Sequence, residues 1–289
     1  MKPTLSAPSP SRSPGPSYPP HSEQLPTGVI RQGRYRARFV RTAGELDAVL
    51  RLRFEVFNLE MGEGLEESYE TGRDEDPFDP ACHHLLVEDG RNGNAVVGTY
   101  RMQTSEMAVS SGLGFYSDGE FQLDALPEAV LRDSVELGRA CISREHRNRQ
   151  VLFLLWKGLA RYIAWNRKRY FFGCCSLTSQ DGCEGYLALR RLADLGRLHP
   201  QLVVPPRPGF ECVCDRPLPE GGEPYALPAL FKTYLRYGSL VCGPPAIDRE
   251  FQTIDFFVLF DLETLDPRSR ALFFESDTAA EVHEAGEDG

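Results

Sequence analysis

The chain has 289 residues, 41% of them hydrophobic, with 42 acidic against 32 basic side chains and a formal charge of −10. That composition is too apolar for a wholly unfolded chain and too acidic for a general nucleic-acid binder, which needs a basic footprint. No apolar run approaches the roughly 18 residues of a membrane span, no apolar leader is visible, and eight irregularly spaced cysteines are too sparse for a disulfide scaffold; together these predict a cytoplasmic protein with reduced thiols.

Residues 1–26 contain eight prolines and six serines. Such a stretch buries too little apolar surface to offset its ordering entropy, so residues 1–34 are predicted as a disordered arm. Tyr35–Val40 alternates as a strand, and Thr42 and Glu45 form a capping box for a helix over 43–58. A polar, acidic loop runs from Gly62 to Asp79. His84–Glu88 and Ala95–Met102 read as paired strands around Asp89-Gly90-Arg91-Asn92-Gly93, and Ser134–Ile142 as another. Val151–Arg167 has the apolar spacing of a helix, Tyr170–Leu177 reads as a buried strand, and Cys183–Leu195 as an amphipathic helix. Leu227–Tyr237 is predicted helical, with Ser239–Cys242 and Thr253–Leu262 as the last strands. Residues 275–289 carry six acids and no Lys or Arg and are predicted as a solvated tail. Residues 35–274 then form one α/β or α+β domain.

The chain lacks a Gly-x-Ser-x-Gly elbow, a Walker loop, a strand-borne Gly-x-Gly-x-x-Gly and a His-Glu-x-x-His pair. Cys174, Cys175, Cys183, Cys212 and Cys214 lack the spacing of a zinc site, so no metal is expected. His83-His84 reads as structural or solvent-facing. The unusual charges lie elsewhere: Arg53 ends the first long helix, Asp76 and Asp79 close the acidic loop, Arg101 ends an apolar strand, and Glu136 and Arg139 stand inside another. Charges within apolar strands are costly unless paired. Glu136 and Arg139 are three apart and would face opposite sides of a regular strand. A bulge at Gly138 would turn both to one side and interrupt pairing with a neighbour, opening a slot for an extended ligand.

The order Arg53-Phe54-x-x-Phe57, Asp76-x-x-Asp79, Arg101, Glu136-x-x-Arg139 resembles the charged pattern of acyl-homoserine lactone synthases, a branch of the GNAT acyltransferase superfamily. The segments Glu136-Leu-Gly-Arg-Ala-Cys-Ile and Tyr234-Leu-Arg-Tyr-Gly-Ser-Leu-Val-Cys-Gly-Pro-Pro-Ala-Ile-Asp-Arg-Glu-Phe-x-Thr-Ile-Asp-Phe-Phe resemble still more closely the hemolysin-like group, which includes the ornithine N-acyltransferases of ornithine-lipid synthesis. The resemblance covers roughly residues 35–265. It implies a GNAT-like mixed, mainly antiparallel twisted sheet flanked by helices, with a bulged, splayed central strand. It further implies transfer of a 3-hydroxyacyl chain from acyl carrier protein to the α-amine of a small amino acid, with ornithine the first expectation and no cofactor beyond that co-substrate. Glu136 would then serve as base, Arg139 or Arg101 as anchor for the acceptor carboxylate, and Tyr186 as proton donor to the leaving thiolate. Asp76 and Asp79 would recognise a cationic side chain, or else pair with Arg53.

Glycines that cradle a CoA pyrophosphate in acetyl-CoA-dependent GNAT enzymes are missing from Arg144-Glu-His-Arg-Asn-Arg-Gln150. A carrier protein presents a single phosphate and needs them less. Ser143–Arg169 holds eight bases against one acid in an otherwise acidic chain, which would steer an acidic carrier, with Arg144, Arg147, Arg149 and Lys157 as docking residues. Nothing there favours nucleic acid. A lyso-lipid product implies peripheral contact with the inner membrane leaflet, without an anchor helix. The alternatives are a lactone synthase, which the long segment after Gly196 and the absence of a Trp near Phe57 disfavour, a CoA-dependent acetyltransferase, and a non-catalytic acyl-carrier-binding protein.

Overall fold

A computed structural model describes residues 18–219 and 225–275. Its strands are β1 (Ile30–Gln32), β2 (Tyr35–Phe39), β3 (His83–Asp89), β4 (Ala95–Thr104), β5 (Ser134–Ile142), β6 (Tyr170–Leu177), β7 (Leu240–Val241), β8 (Ala246–Asp248) and β9 (Thr253–Asp261). The helices are α1 (Ala43–Phe54), which runs on as a π-helical turn over Glu55–Met61, α2 (Ser68–Thr71), α3 (Ser105–Ser111), α4 (Glu128–Arg132), α5 (Arg149–Trp165), α6 (Gly182–Asp194), α7 (Ala229–Arg236) and α8 (Pro267–Arg270). All nine strands join one sheet in the order β1-β2-β3-β4-β5-β6-β9-β7, with β8 also on β9. Every pairing is antiparallel except β5 with β6, giving the mixed, mainly antiparallel sheet expected.

Alternation along β3 builds the layers. Leu85 and Val87 point to the face covered by Val151, Leu155, Leu159 and Ile163 of α5. Leu86 points to the opposite face, against Val49 and Leu50 of α1. Beyond the middle of the sheet, Leu177, Phe256 and Val258 meet α6 and α7 through Ala188, Leu192, Phe231 and Leu235. Both halves of the predicted capping box close α1: Thr42 Oγ1 accepts from the Glu45 amide, and Glu45 Oε2 from the Thr42 amide.

Several expectations need correction. Residues 1–17 lie outside the described residues, but 18–34 are ordered: Leu25 is buried, β1 pairs with β2, and the Pro20 carbonyl accepts from His83 Nε2 at 2.7 Å. The proline count masked three apolar or aromatic anchors, Tyr18, Leu25 and Ile30. The acidic tail from 276 onwards also lies outside the described residues. His83 and His84 are both fully buried rather than solvent-facing, and burial pushes His83 down to about 4. Cys183 and Cys214 form a disulfide, their Cα atoms 4.5 Å apart across 31 residues, while Cys82, Cys141, Cys174, Cys175, Cys212 and Cys242 are free thiols.

Two irregularities meet in β5. Its antiparallel register with β4 slips between Thr99↔Cys141 and Arg101↔Gly138, leaving an extra residue in β5. The bulge expected at Gly138 begins there, and the residue that takes the left-handed backbone is its neighbour Arg139, at φ 49°. A non-glycine residue there carries strain of about 1–3 kcal/mol, which the surroundings must hold in place. On its other side, β5 pairs with β6 only from Ser134↔Tyr170 to Glu136↔Phe172 and then departs from it. At the parting point a Cβ on Gly173 would fall 2.2 Å from the Leu137 carbonyl oxygen, so only glycine allows this approach.

Replacing Gly173 with alanine should therefore force β5 and β6 apart and cost about 1–3 kcal/mol. A chemical-denaturation midpoint equal to that of the wild type would show that the strands absorb the methyl group.

Candidate active site

A cavity of about 610 Å³ opens where β5 and β6 part. Leu137, Gly138, Arg139 and Ala140 of β5 form one side, and Cys174, Cys175 and Ser176 of β6 the other. Val56, Phe57 and Met61 of the π-helical turn, Leu152 and Leu155 of α5, and Leu230 and Phe231 of α7 give it apolar walls. Such walls suit a fatty chain better than a polar coenzyme. Gly138 has no side chain, so its backbone itself faces the cavity.

A buried ionic network lies under this opening. Arg53, fully buried, donates from Nε to Asp74 Oδ2 at 2.6 Å and from Nη1 and Nη2 to the two oxygens of Asp79 at 2.6 and 3.1 Å. Arg101 Nη1 donates to both oxygens of Asp76 (2.7 and 2.6 Å) and to Asp79 Oδ1 (3.0 Å). Arg139 Nη2 reaches Asp76 Oδ2 at 3.0 Å, and its Nε lies 3.6 Å from Asp74 Oδ2. Three arginines thus meet three aspartates. Burial alone would raise the Asp79 pKa, but Arg53 and Arg101 hold it well below the usual carboxylate range; Asp76 is likewise lowered, against its burial, by Arg101 and Arg139. Aromatic faces cover the guanidinium groups: Arg139 Cζ sits 4.3 Å from the Phe251 ring centre and 5.0 Å from that of Tyr116, and Arg101 Cζ 5.1 Å from Tyr116.

Glu136 stands at the last position of β5 paired with β6, 5% exposed, and lines the cavity. Its oxygens accept from the amides of Ser117 (2.7 Å) and Tyr116 (2.8 Å). Burial raises its pKa despite these bonds and the charge of Arg101. Each carboxylate oxygen keeps a second lone pair for a ligand or a water, so this arrangement can accept a proton at the edge of an apolar cavity.

The network brings together Arg53, Asp76, Asp79, Arg101 and Arg139, and Glu136 stands beside it, held by the Tyr116 and Ser117 amides. Asp76 and Asp79 spend their charge on arginines, so they do not recognise a substrate cation. Tyr186 is absent from the cavity wall and donates to the Cys212 carbonyl at 3.1 Å, which removes it as the thiolate's proton donor. Lys157 is 5% exposed, with its ammonium over the Phe153 ring, so it is not part of a docking face. Arg144, Arg147 and Arg149 are exposed. Arg147 lines the cavity and makes a two-pronged ion pair with Glu60 (2.7 and 2.8 Å).

Sequence reasoning missed Asp74, Tyr116, Ser117 and Phe251, which complete the network and hold Glu136. It also missed a group of carboxylates in and behind the wall, Glu63, Glu120, Asp248 and Asp255. Asp255 had a signal: it is a charge inside the apolar strand Thr253–Leu262, the same criterion that selected Glu136.

Comparison with known proteins fits this geometry. An Acetyltransferase (GNAT) domain profile matches residues 52–157, which span Arg53 to the middle of α5. An L-ornithine N(alpha)-acyltransferase of Rhizobium meliloti is 33% identical over 241 residues, covering 80% of this chain and 81% of the relative. Another from Rhodobacter capsulatus is 32% identical over 250 residues, 83% of this chain and 94% of the relative. Among solved structures, the acyl-homoserine lactone synthase LasI aligns with a TM-score of 0.44 at 12% identity, over 84% of this chain and 96% of that one. With two relatives above 30% identity along most of their length, this chain belongs to the L-ornithine N(alpha)-acyltransferase family of GNAT-domain acyltransferases.

Proposed function

We propose that the protein transfers a 3-hydroxyacyl group from acyl carrier protein to the α-amine of L-ornithine, giving a lyso-ornithine lipid. The names of the relatives support the acceptor and the reaction. The observation that carries the chemistry is Glu136, a buried carboxylate with raised pKa at the edge of an apolar cavity.

An α-ammonium group cannot attack a thioester until it loses a proton. Glu136 accepts that proton through a water, a transfer favoured by the basicity that burial gives it. The amine then attacks the thioester carbonyl, the C–N bond forms, and backbone N–H groups of the unpaired β5 edge at Gly138 stabilise the oxyanion. Collapse breaks the C–S bond, the nitrogen sheds its remaining extra proton, and the carrier thiolate leaves as a thiol. Arg139, whose Nε has no hydrogen-bond partner among the described residues, anchors the acceptor carboxylate with Arg101 beside it.

The amino end of α5 supports a carrier-borne donor. In place of a glycine turn it has Asn148, whose Oδ1 accepts from the amides of Gln150 and Val151 at 3.0 and 3.1 Å. Those amides would otherwise be the ones to hold a pyrophosphate. Arg144, Arg147 and Arg149 surround this helix end, with Arg147 at the cavity rim, where a single pantetheine phosphate and an acidic carrier would meet them. No cofactor is needed beyond the acyl-loaded carrier. Among the described residues no helix is long and apolar enough to cross a membrane, so delivery of the product to the inner leaflet would be peripheral.

Incubation with 3-hydroxyacyl carrier protein and a panel of amino acids, followed by mass spectrometry, should give acyl-ornithine, and Glu136→Gln should lower its rate by about 10²–10⁴-fold. Equal rates for wild type and variant would remove Glu136 from the base role, and lactone formation from S-adenosylmethionine would favour the synthase alternative.

Reversing Arg144 and Arg149 to glutamate should raise the KM for the loaded carrier about tenfold or more and flatten its salt dependence. An unchanged KM would put the docking surface elsewhere.

A further inference from the structure

The carboxylates that the mechanism leaves unused lie one contact beyond Glu136. Ser117, whose amide holds Glu136, places its Oγ 3.6 Å from Cys174 Sγ, and that sulfur lies 3.9 Å from Glu120 Oε2. Acceptor atoms of Glu120, Cys174 and Asp255 all fall within 4.8 Å of one another. Asp248 and Asp255 line the cavity wall, with Glu120 behind Cys174. The arginines nearby direct their ion pairs elsewhere, Arg53, Arg101 and Arg139 to Asp74, Asp76 and Asp79, and Arg139 acts on Glu120 only as a charge without an ion pair.

Asp255 is the sharpest element of the group. It is 4% exposed, yet its Oδ1 has no hydrogen-bond partner among the described residues, although the other oxygen accepts from Thr253 Oγ1 at 3.2 Å. A buried carboxylate oxygen without a donor is costly. Burial, with Asp248 adding repulsion, raises the Asp255 pKa, and burial, Asp255 and Asp248 raise that of Glu120 well above the usual range. Glu120 and Asp255 also share a hydrogen bond, and no Lys or Arg among the described residues makes an ion pair with Glu120, Asp248 or Asp255, which leaves their charge for a ligand cation. Ligand atoms of Glu120 and Asp255 lie within 4.8 Å of each other, close enough for one ammonium to reach both carboxylates at the length of a charge-assisted N–H···O bond, with Asp248 on the same cavity wall as Asp255.

We propose that Asp255, Glu120 and Asp248 form the receptacle for the side-chain ammonium of the acceptor and so select a diamino acid over a neutral one. The inference rests on the acyl-transfer reading above and refines it: Glu136 and Arg139 hold the α-amine and α-carboxylate, and the acidic group holds the far end. It also replaces Asp76 and Asp79, which the sequence had put forward for this task.

The test compares acyl transfer to ornithine and to norvaline, which has the same carbon chain without the terminal amine. Wild type should prefer ornithine by a factor of about 10–100 in kcat/KM, the value of one or two charge-assisted hydrogen bonds. In Asp255→Asn with Glu120→Gln that preference should collapse towards unity. Removal of mutual repulsion should leave the Tm equal or higher, and if the double variant fails to fold, Asp255→Asn alone makes the same comparison. Transfer to both acceptors at similar rates, or an unchanged preference in a folded variant, would overturn this assignment and leave the acyl-transfer reading intact. No transfer to either acceptor would overturn both. Loss of activity with EDTA, restored by a divalent ion, would give the acidic group to a metal instead.

Discussion

The site depends on how three buried arginines are neutralised. A guanidinium with no solvent contact is costly unless paired with good geometry, and Arg53 meets that demand with Asp74 and Asp79. Asp79 is shared with Arg101, and Asp76 with both Arg101 and Arg139. His84 Nε2 adds a contact to Asp79 at 3.2 Å, and its other ring nitrogen reaches Tyr18 Oη at 3.0 Å. Through these bonds α1, the acidic loop, β3, β4 and β5 are tied at one point. Loss of any one member would strand a charge away from water.

That tie explains the irregular backbone. Arg139 adopts a left-handed conformation that its own Cβ disfavours, and the pull of Asp76 together with the Phe251 and Tyr116 rings gives the reason for it to stay there. The bulge turns Arg139 to the side of Glu136. Beyond Glu136 the parallel pairing with β6 ends, and the resulting opening is the cavity. Strain in β5, closure of the network and exposure of an unpaired backbone edge are one arrangement seen from three sides. The apolar walls from the π-helical turn, α5 and α7 then make room for a fatty chain beside the carboxylate.

Much of this was legible in the residues. Strand-borne charges are rare enough that Arg101, Glu136 and Arg139 announced a site, and the boundaries of β5 and β6 agree with the periodicity. What failed did so for identifiable reasons. Lys157 looked like part of a basic face because its helix was read alone; in the fold Phe273 from the end of the chain packs on Trp156 and Ala160 and closes over that side. Tyr186 was chosen by residue type, but helix α6 turns its hydroxyl to the Cys212 carbonyl. The acidic group joins Asp248 and Asp255 of the paired strands β8 and β9 to Glu120, far away in the chain, so only the fold assembles it. The Cys183–Cys214 bridge likewise joins residues that only the fold brings near. Of the two readings for Asp76 and Asp79, pairing with Arg53 holds for Asp79, whereas Asp76 pairs with Arg101 and Arg139.

The central claim is that the acyl carbonyl and the attacking amine meet at the parting of β5 and β6. A crystal structure with ornithine and a stable amide analogue of 3-hydroxyacyl-pantetheine examines it directly. The account predicts the fatty chain between the π-helical turn and α7, the amide carbonyl within hydrogen-bond reach of the β5 backbone near Gly138, and the amino acid between Glu136 and Asp255. An analogue bound outside this opening, or a Glu136 carboxylate sealed from both ligands, would contradict it.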